Sequence, residues 1–209
     1  MLLPPHELPQ LFGSIDIYLF DQLLKGRFTP GMRILDAGCG AGRNLPYFLR
    51  HGFDVCAIDN AAGALDQARR LAAELAPRLP ATNFRVEGLD ALSFPDQDFD
   101  AVILSAVLHF ARDEAHFLRM VNEAWRVLRP GGLFFARLAS SIGIEELVVP
   151  LGNGRYHLPD GSDRFLVSAG FLVALAARLA AVAVEPLKTV NVEGQRCMTT
   201  WCLRKPPRP

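Results

Sequence analysis

The 209-residue chain lacks an excess of charge of either sign: 22 Lys and Arg stand against 22 Asp and Glu. That balance removes the bulk basic field that drives non-specific nucleic-acid binding, and the acidic field that would attract basic partners. A long apolar run is missing too. The longest, Phe171 to Val184, is broken by Arg178 and falls short of the roughly 20 residues a bilayer span requires. Met1 to Gln10 holds Pro4, Pro5 and Pro9 but neither the basic segment nor the apolar stretch that directs secretion. Cysteine is scarce, and Cys39, Cys56, Cys197 and Cys202 show no paired metal-ligand spacing. The expectation is a cytoplasmic protein in a reducing setting, with no metal, no nucleic acid and no membrane, whose partner is a small molecule.

What is present is globular composition, 50% hydrophobic and 21% charged, at a length that suits one α/β domain. Ile15, Tyr18, Leu19 and Leu23 recur at helical spacing, predicting a leading helix over Ser14 to Lys25 with Asp16 in its first turn. Short apolar runs bounded by turn residues predict parallel strands at Arg33 to Ala37, Val55 to Ile58, Phe84 to Glu87, Ala101 to Leu104 and Leu133 to Leu138. Helices are expected between them: from about Arg43 to Arg50, around Leu65 to Leu75, and after Asp113 as N-cap, where Arg129-Pro130-Gly131-Gly132 would stop the helix. A loop-rich insertion at Ser140 to Asp163 follows, then a helix from about Ser168 to Ala180 and a hairpin turning at Glu193-Gly194. Strands alternating with helices place ligands at the carboxyl ends of the strands.

The segment Ile34-Leu-Asp-Ala-Gly-Cys-Gly-Ala-Gly-Arg-Asn44 sets Asp36 at the end of the first strand and Gly38, Gly40 and Gly42 at alternate positions after it. Glycines allow a ligand to approach the backbone closely, and a helix starting near Arg43 would offer a positive terminus. A dinucleotide fingerprint would want glycine where Arg43 stands, and a carboxylate at Asp36 would repel pyrophosphate. In this loop the chain resembles the class I S-adenosylmethionine-dependent methyltransferases, and the likeness extends over roughly Pro30 to Arg137 through the Val-Leu-Arg-Pro-Gly-Gly segment. The resemblance implies a single Rossmann-like domain: a mostly parallel seven-stranded sheet with helices on both faces and a C-terminal antiparallel hairpin. Residues 1–28 would form a lid helix, 30–138 the cofactor core, 139–165 an insertion near the acceptor, and 166–209 the closing helix and hairpin.

On that reading S-adenosylmethionine is the cofactor. Asp36, Gly38, Gly40 and Arg43 would meet its methionyl end, Asp59 its ribose with Asn60 alongside, and Ser105 would contribute backbone after the fourth strand. The third-strand segment departs from the family pattern: Gly88 stands where an aspartate for the adenine amino group is usual, leaving the Leu89 amide and the Asp90 carboxylate as substitutes. Asp59 could instead only cap the next helix, and Asp90 only decorate a turn. His109 is the candidate base or acceptor contact; Tyr18, Arg137, Arg155, His157 and Arg164 are candidate acceptor residues. The C-terminal stretches Leu-Pro-Asp-Gly-Ser-Asp-Arg-Phe-Leu-Val and Arg-Cys-Met-Thr-Thr-Trp look like tellurite methyltransferases, for which arginines would bind an oxyanion. A non-catalytic S-adenosylmethionine binder and a nicotinamide-dependent oxidoreductase are the competing functions, and either a monomer or a homodimer is compatible with the composition.

Overall fold

The computed structural model describes residues 7–207, so Pro4, Pro5 and the start of the N-terminal reading lie outside the described residues. Element order is α1 (Leu8–Phe12), α2 (Ile17–Leu24), β1 (Arg33–Ala37), α3 (Pro46–Arg50), β2 (Asp54–Asp59), α4 (Ala62–Leu75), β3 (Phe84–Val86), β4 (Phe99–Ser105), α5 (Glu114–Val127) and β5 (Leu128–Ser140). There follow β6 (Val149–Gly152), β7 (Arg155–His157), β8 (Asp163–Phe165), α6 (Ala169–Arg178), β9 (Val182–Ala183), β10 (Lys188–Val192) and β11 (Arg196–Arg204).

The central sheet runs β10-β11-β5-β4-β1-β2-β3, with β9 paired to β11 off that path. β3, β2, β1, β4 and β5 are parallel, and β11 is antiparallel to both β5 and β10. Because strands point side chains to alternate faces, each apolar strand serves two cores. Ile34, Val55, Ala57, Ala101, Ile103 and Phe135 meet Leu19 of α2, Phe48 of α3 and Leu65 and Ala68 of α4. Their neighbours Leu35, Cys56, Val102, Leu104, Phe134 and Trp201 meet Phe117 and Val121 of α5 and Leu172 of α6. The strand order reverses between β1 and β4, and a crevice opens outside the carboxyl ends at such a reversal.

Three local expectations are corrected. The helix expected from Arg43 begins only at Pro46, because Gly42 and Leu45 close tight turns back to Cys39 and Gly42; α3 is then five residues long. Its proline suits the first helical turn, where no amide hydrogen bond is lost. The helix ends at Val127, just ahead of Arg129 to Gly132, but the strand expected from Leu133 already starts at Leu128; its pairing with β4 jumps from Phe99↔Leu128 to Ala101↔Leu133, so the segment is a long bulge. The insertion keeps loops at 141–148 and 158–162 but also contains a three-stranded antiparallel sheet, β6-β7-β8, that is not expected from the sequence. Its first turn uses Asn153 and Gly154, with φ of 55° and 77°, as a tight hairpin of this kind demands.

Candidate active site

Asp36, next to last in β1, has its side chain buried, and neither carboxylate oxygen has a hydrogen-bond partner among the described residues. Burial is the main cause that raises its carboxyl to about 7; Arg43 opposes the shift and Asp59 adds to it. An orphaned buried acceptor is costly unless something completes it. A cationic ammonium group approaching this end of the strand is chemically suited to do so. The loop that follows is held to β2 by Gly38 and Cys39 amides donating to Ile58 O, both at 2.9 Å. Its glycines have different tasks. A Cβ on Gly38 would lie 2.9 Å from Val107 Cβ and collide with Cγ2, while Gly42 packs against Ala68 of α4; Gly40 faces open space. Cys39, wedged between them, has its thiol pushed far up by burial, then by Asp36 and Asp59, and is no nucleophile.

A cavity of about 610 Å³ lies over the reversal point and is lined by Gly38, Gly40, Asp59, Asn60, Gly88, Leu89 and Asp90 of the predicted cofactor residues. Asp59 accepts the Gly40 amide on Oδ2 and the Ala61 amide on Oδ1, each at 2.8 Å. It stands two residues before the N-cap of α4, which is Ala61. Two amides fix the plane of the carboxylate and leave each oxygen with spare acceptor capacity. Asp90 Oδ1 is 2.8 Å from where a Cβ on Gly88 would sit, so the carboxylate two residues on fills the space of the missing side chain. His116 holds it there: the Arg112 amide donates to His116 Nδ1 at 3.1 Å, which puts the ring proton on Nε2, 3.4 Å from Asp90 Oδ2. Val107, Phe110, Arg112, His116 and Met120 complete the wall. None of these five is singled out by the sequence; Met120 shares the helical face of Phe117, the one signal that could have found it.

Asp36, Arg43 and Ser105 do not line this cavity. Arg43 and Ser105 belong instead to a buried knot around Asp16, whose side chain is 1% exposed. Asp16 is the N-cap of α2, not a first-turn residue: it accepts the Tyr18 amide at 2.9 Å, together with Arg137 Nη1 at 2.9 Å, Arg43 Nη2 at 3.3 Å and the Ser105 hydroxyl at 3.4 Å. Tyr18 lies 5.2 Å under the Arg137 guanidinium. The leading helix is thereby tied to the carboxyl ends of β4 and β5, a link that no local pattern reveals.

A second cavity, about 350 Å³, is lined by Arg43, His109, Arg137, Arg164 and Arg196, with Asp160, Ser162, Leu158 and Met198. Of the predicted acceptor residues it gathers Arg137 and Arg164 with the candidate base His109, whereas Tyr18, Arg155 and His157 are outside its lining. His109 is 6% exposed, and its Nδ1 accepts the Ala139 amide at 3.2 Å, leaving the proton on Nε2. Burial, then Arg164 and Arg137, lowers its pKa to about 4. It is therefore a neutral donor near pH 7, not a poised base. Ala106 lines both cavities, and it is held at φ 64°, a conformation alanine rarely adopts, with its amide donating to Arg137 O at 2.8 Å. Among the described residues no helix is long and apolar enough to cross a membrane.

Residues 35–136 match the family model of a methyltransferase domain. A ubiquinone biosynthesis O-methyltransferase of Methylocella silvestris is 39% identical over 118 residues, which are 54% of this chain and 44% of that protein. The chain spans about half the length of the curated relatives it matches. In fold it is similar to an S-adenosylmethionine-dependent methyltransferase of Methanosarcina mazei, with a TM-score of 0.67 at 23% identity over 89% of this chain and 98% of that one. It is also similar to the 1,6-didemethyltoxoflavin-N1-methyltransferase of Burkholderia thailandensis, whose structure holds S-adenosylhomocysteine: TM-score 0.65, 19% identity, 99% and 92% covered. Residues 35–136 thus match a methyltransferase domain, and the chain shares the fold of S-adenosylmethionine-dependent methyltransferases.

Proposed function

We propose that the chain transfers the methyl group of S-adenosylmethionine to a small-molecule acceptor, with the adenosyl part in the larger cavity and the acceptor in the smaller. The observation that carries this reading is that the two cavities adjoin at Ala106, just past the carboxyl end of β4, the strand that pairs with β1 and its buried Asp36. Bound there, the cofactor supplies a sulfonium whose methyl is displaced in line. The chain's own task is alignment and exclusion of water. Asp36 faces the ammonium and Asp59 accepts from the ribose hydroxyls, its plane fixed by the Gly40 and Ala61 amides. Asp90, steadied by His116, receives the adenine amino group in place of a side chain at position 88. The Ala106 backbone, strained but tied to Arg137, forms a shared edge of the two cavities, where donor and acceptor meet. Names of relatives that refer to ubiquinone biosynthesis and to 1,6-didemethyltoxoflavin support an acceptor of small-molecule size.

The test is release of S-adenosylhomocysteine from the full chain across a panel of small carboxylates, phenols, thiols and oxyanions. Acceptor-dependent release, abolished by Asp59→Ala, is expected. Tight binding of S-adenosylmethionine with no release for any acceptor would contradict turnover and leave a binding protein.

A further inference from the structure

The smaller cavity has an unusual charge inventory. Four guanidiniums line it, from Arg43, Arg137, Arg164 and Arg196, and the carboxylates that meet them are Asp16 and Asp160. Asp16 is shared between Arg43 and Arg137. Asp160 reaches Arg196 at 3.5 Å but is already engaged by the amide and hydroxyl of Ser162, at 3.0 and 2.6 Å. Arg164 has no carboxylate within ion-pair distance among the described residues; its Nη1 donates to the Asp163 carbonyl at 2.8 Å and its guanidinium lies 5.0 Å over the Phe110 ring. Phe110 in turn lines the cofactor cavity, which places Arg164 where the two cavities meet.

Two further donors are unused. Arg137 Nε is buried without a partner, and His109 has only its Nε2–H left once Nδ1 has taken the Ala139 amide. Donors that outnumber acceptors in a half-enclosed cavity select an anion, because an anion supplies several lone pairs at once and is held by charge-assisted hydrogen bonds. A neutral acceptor would leave those donors unmatched, at a cost the buried ones feel most.

We propose that this cavity is an anion site: the acceptor bears a carboxylate or other oxyanion group that Arg164 and Arg196 hold, with the Nε2–H of His109 donating beside them. The inference rests on the methyl-transfer reading and adds the chemical class of the acceptor. Leu158 and Met198 give the remaining wall an apolar surface, so a compact anion with a hydrophobic body fits better than a polyanion.

The test uses the full chain saturated with S-adenosylhomocysteine and titrated at fixed ionic strength with benzoate, with phosphate, and with benzamide as the neutral isostere of benzoate. Stabilisation against heat by at least one of the anions and none by benzamide is expected. Arg164→Gln should weaken that anion by about tenfold or more, Arg164→Lys by less, and cofactor affinity should stay unchanged. Arg196→Gln, at a side chain 56% exposed, gives the same readout if the first variant does not fold. If the cofactor binds but both anions act no better than benzamide, or act equally on Arg164→Gln and Arg196→Gln as on the wild type, the anion site is wrong while the cofactor site stands. Failure of S-adenosylhomocysteine itself to bind overturns both.

Discussion

Replacing Asp36 by asparagine separates what the fold wants from what the cofactor wants. Burial, the leading cause, lifts the carboxyl from its ordinary 3.8 to about 7 in the folded chain, so the fold prefers it neutral. A group raised on folding contributes stability below its unfolded pKa, and that contribution is lost as pH climbs through the folded value. From about pH 5 to about pH 8.5 the loss from this single group is about 2–3 kcal/mol. An asparagine at this position cannot ionise and escapes the loss. The new amide brings two donors into a site without partners, at about 1–3 kcal/mol, but that cost is the same at both pH values. The change in melting temperature with pH is thus the clean quantity. At about 2–4 °C per kcal/mol for a chain of this size, wild type should lose roughly 5–10 °C more than Asp36→Asn over that range. Scanning calorimetry or dye-monitored melting without cofactor reads it. Equal losses in the two proteins would refute the burial argument. Binding should move the other way: a cationic ligand restores the charged form, so wild-type affinity for S-adenosylmethionine falls as pH drops below about 7, about tenfold per unit, and the asparagine variant loses most of it.

Other residues give independent checks. Asp16→Ala removes the carboxylate from a half-buried Arg137 and the N-cap from α2, and should cost about 2–3 kcal/mol by urea unfolding, with hydrogen exchange quickened across α2. Gly38→Ala combines φ 77° with a collision against Val107 and should cost about 1–3 kcal/mol, partly returned by Val107→Ala. For His109, lowered from 6.5 to about 4, protonation is disfavoured in the fold, so its share of stability is lost as pH falls from 6.5 toward 4. A pH–rate profile should accordingly show no histidine ionisation between about pH 6 and pH 8, and His109→Gln should leave its shape unchanged.

Much of the sheet is legible because buried parallel strands are short apolar runs. The apolar runs from Ile34, Val55 and Ala101 each follow a polar residue; β1 is observed where expected, and β2 and β4 differ from expectation only at their ends. The cavity proposed for the cofactor is legible for a related reason: loops at strand ends converge, so Gly38, Asp59 and Gly88 meet although far apart in sequence. Asp90 over Gly88 is readable from a spacing of two. The knot around Asp16 is not, since Arg137 lies 121 residues away and only the folded sheet brings it close. The sheet inside the insertion is hidden for a different reason: Asn153-Gly154 is a strong hairpin signal, but β6 is exposed, β7 is only half-buried, and both are too short to carry an alternation that announces them. The tautomer of His109 likewise depends on a backbone amide 30 residues on, and that bond turns an expected base into a donor.

The most direct test of the central claim is calorimetric titration of the full chain with S-adenosylhomocysteine, repeated with Asp59→Ala. One site per chain in the wild type, weakened about a hundredfold or more in the variant, is the predicted result, since both the ribose acceptor and the clamp on Gly40 are lost. No binding by a folded wild-type chain, or equal binding by the variant, would contradict the assignment of this cavity to the cofactor.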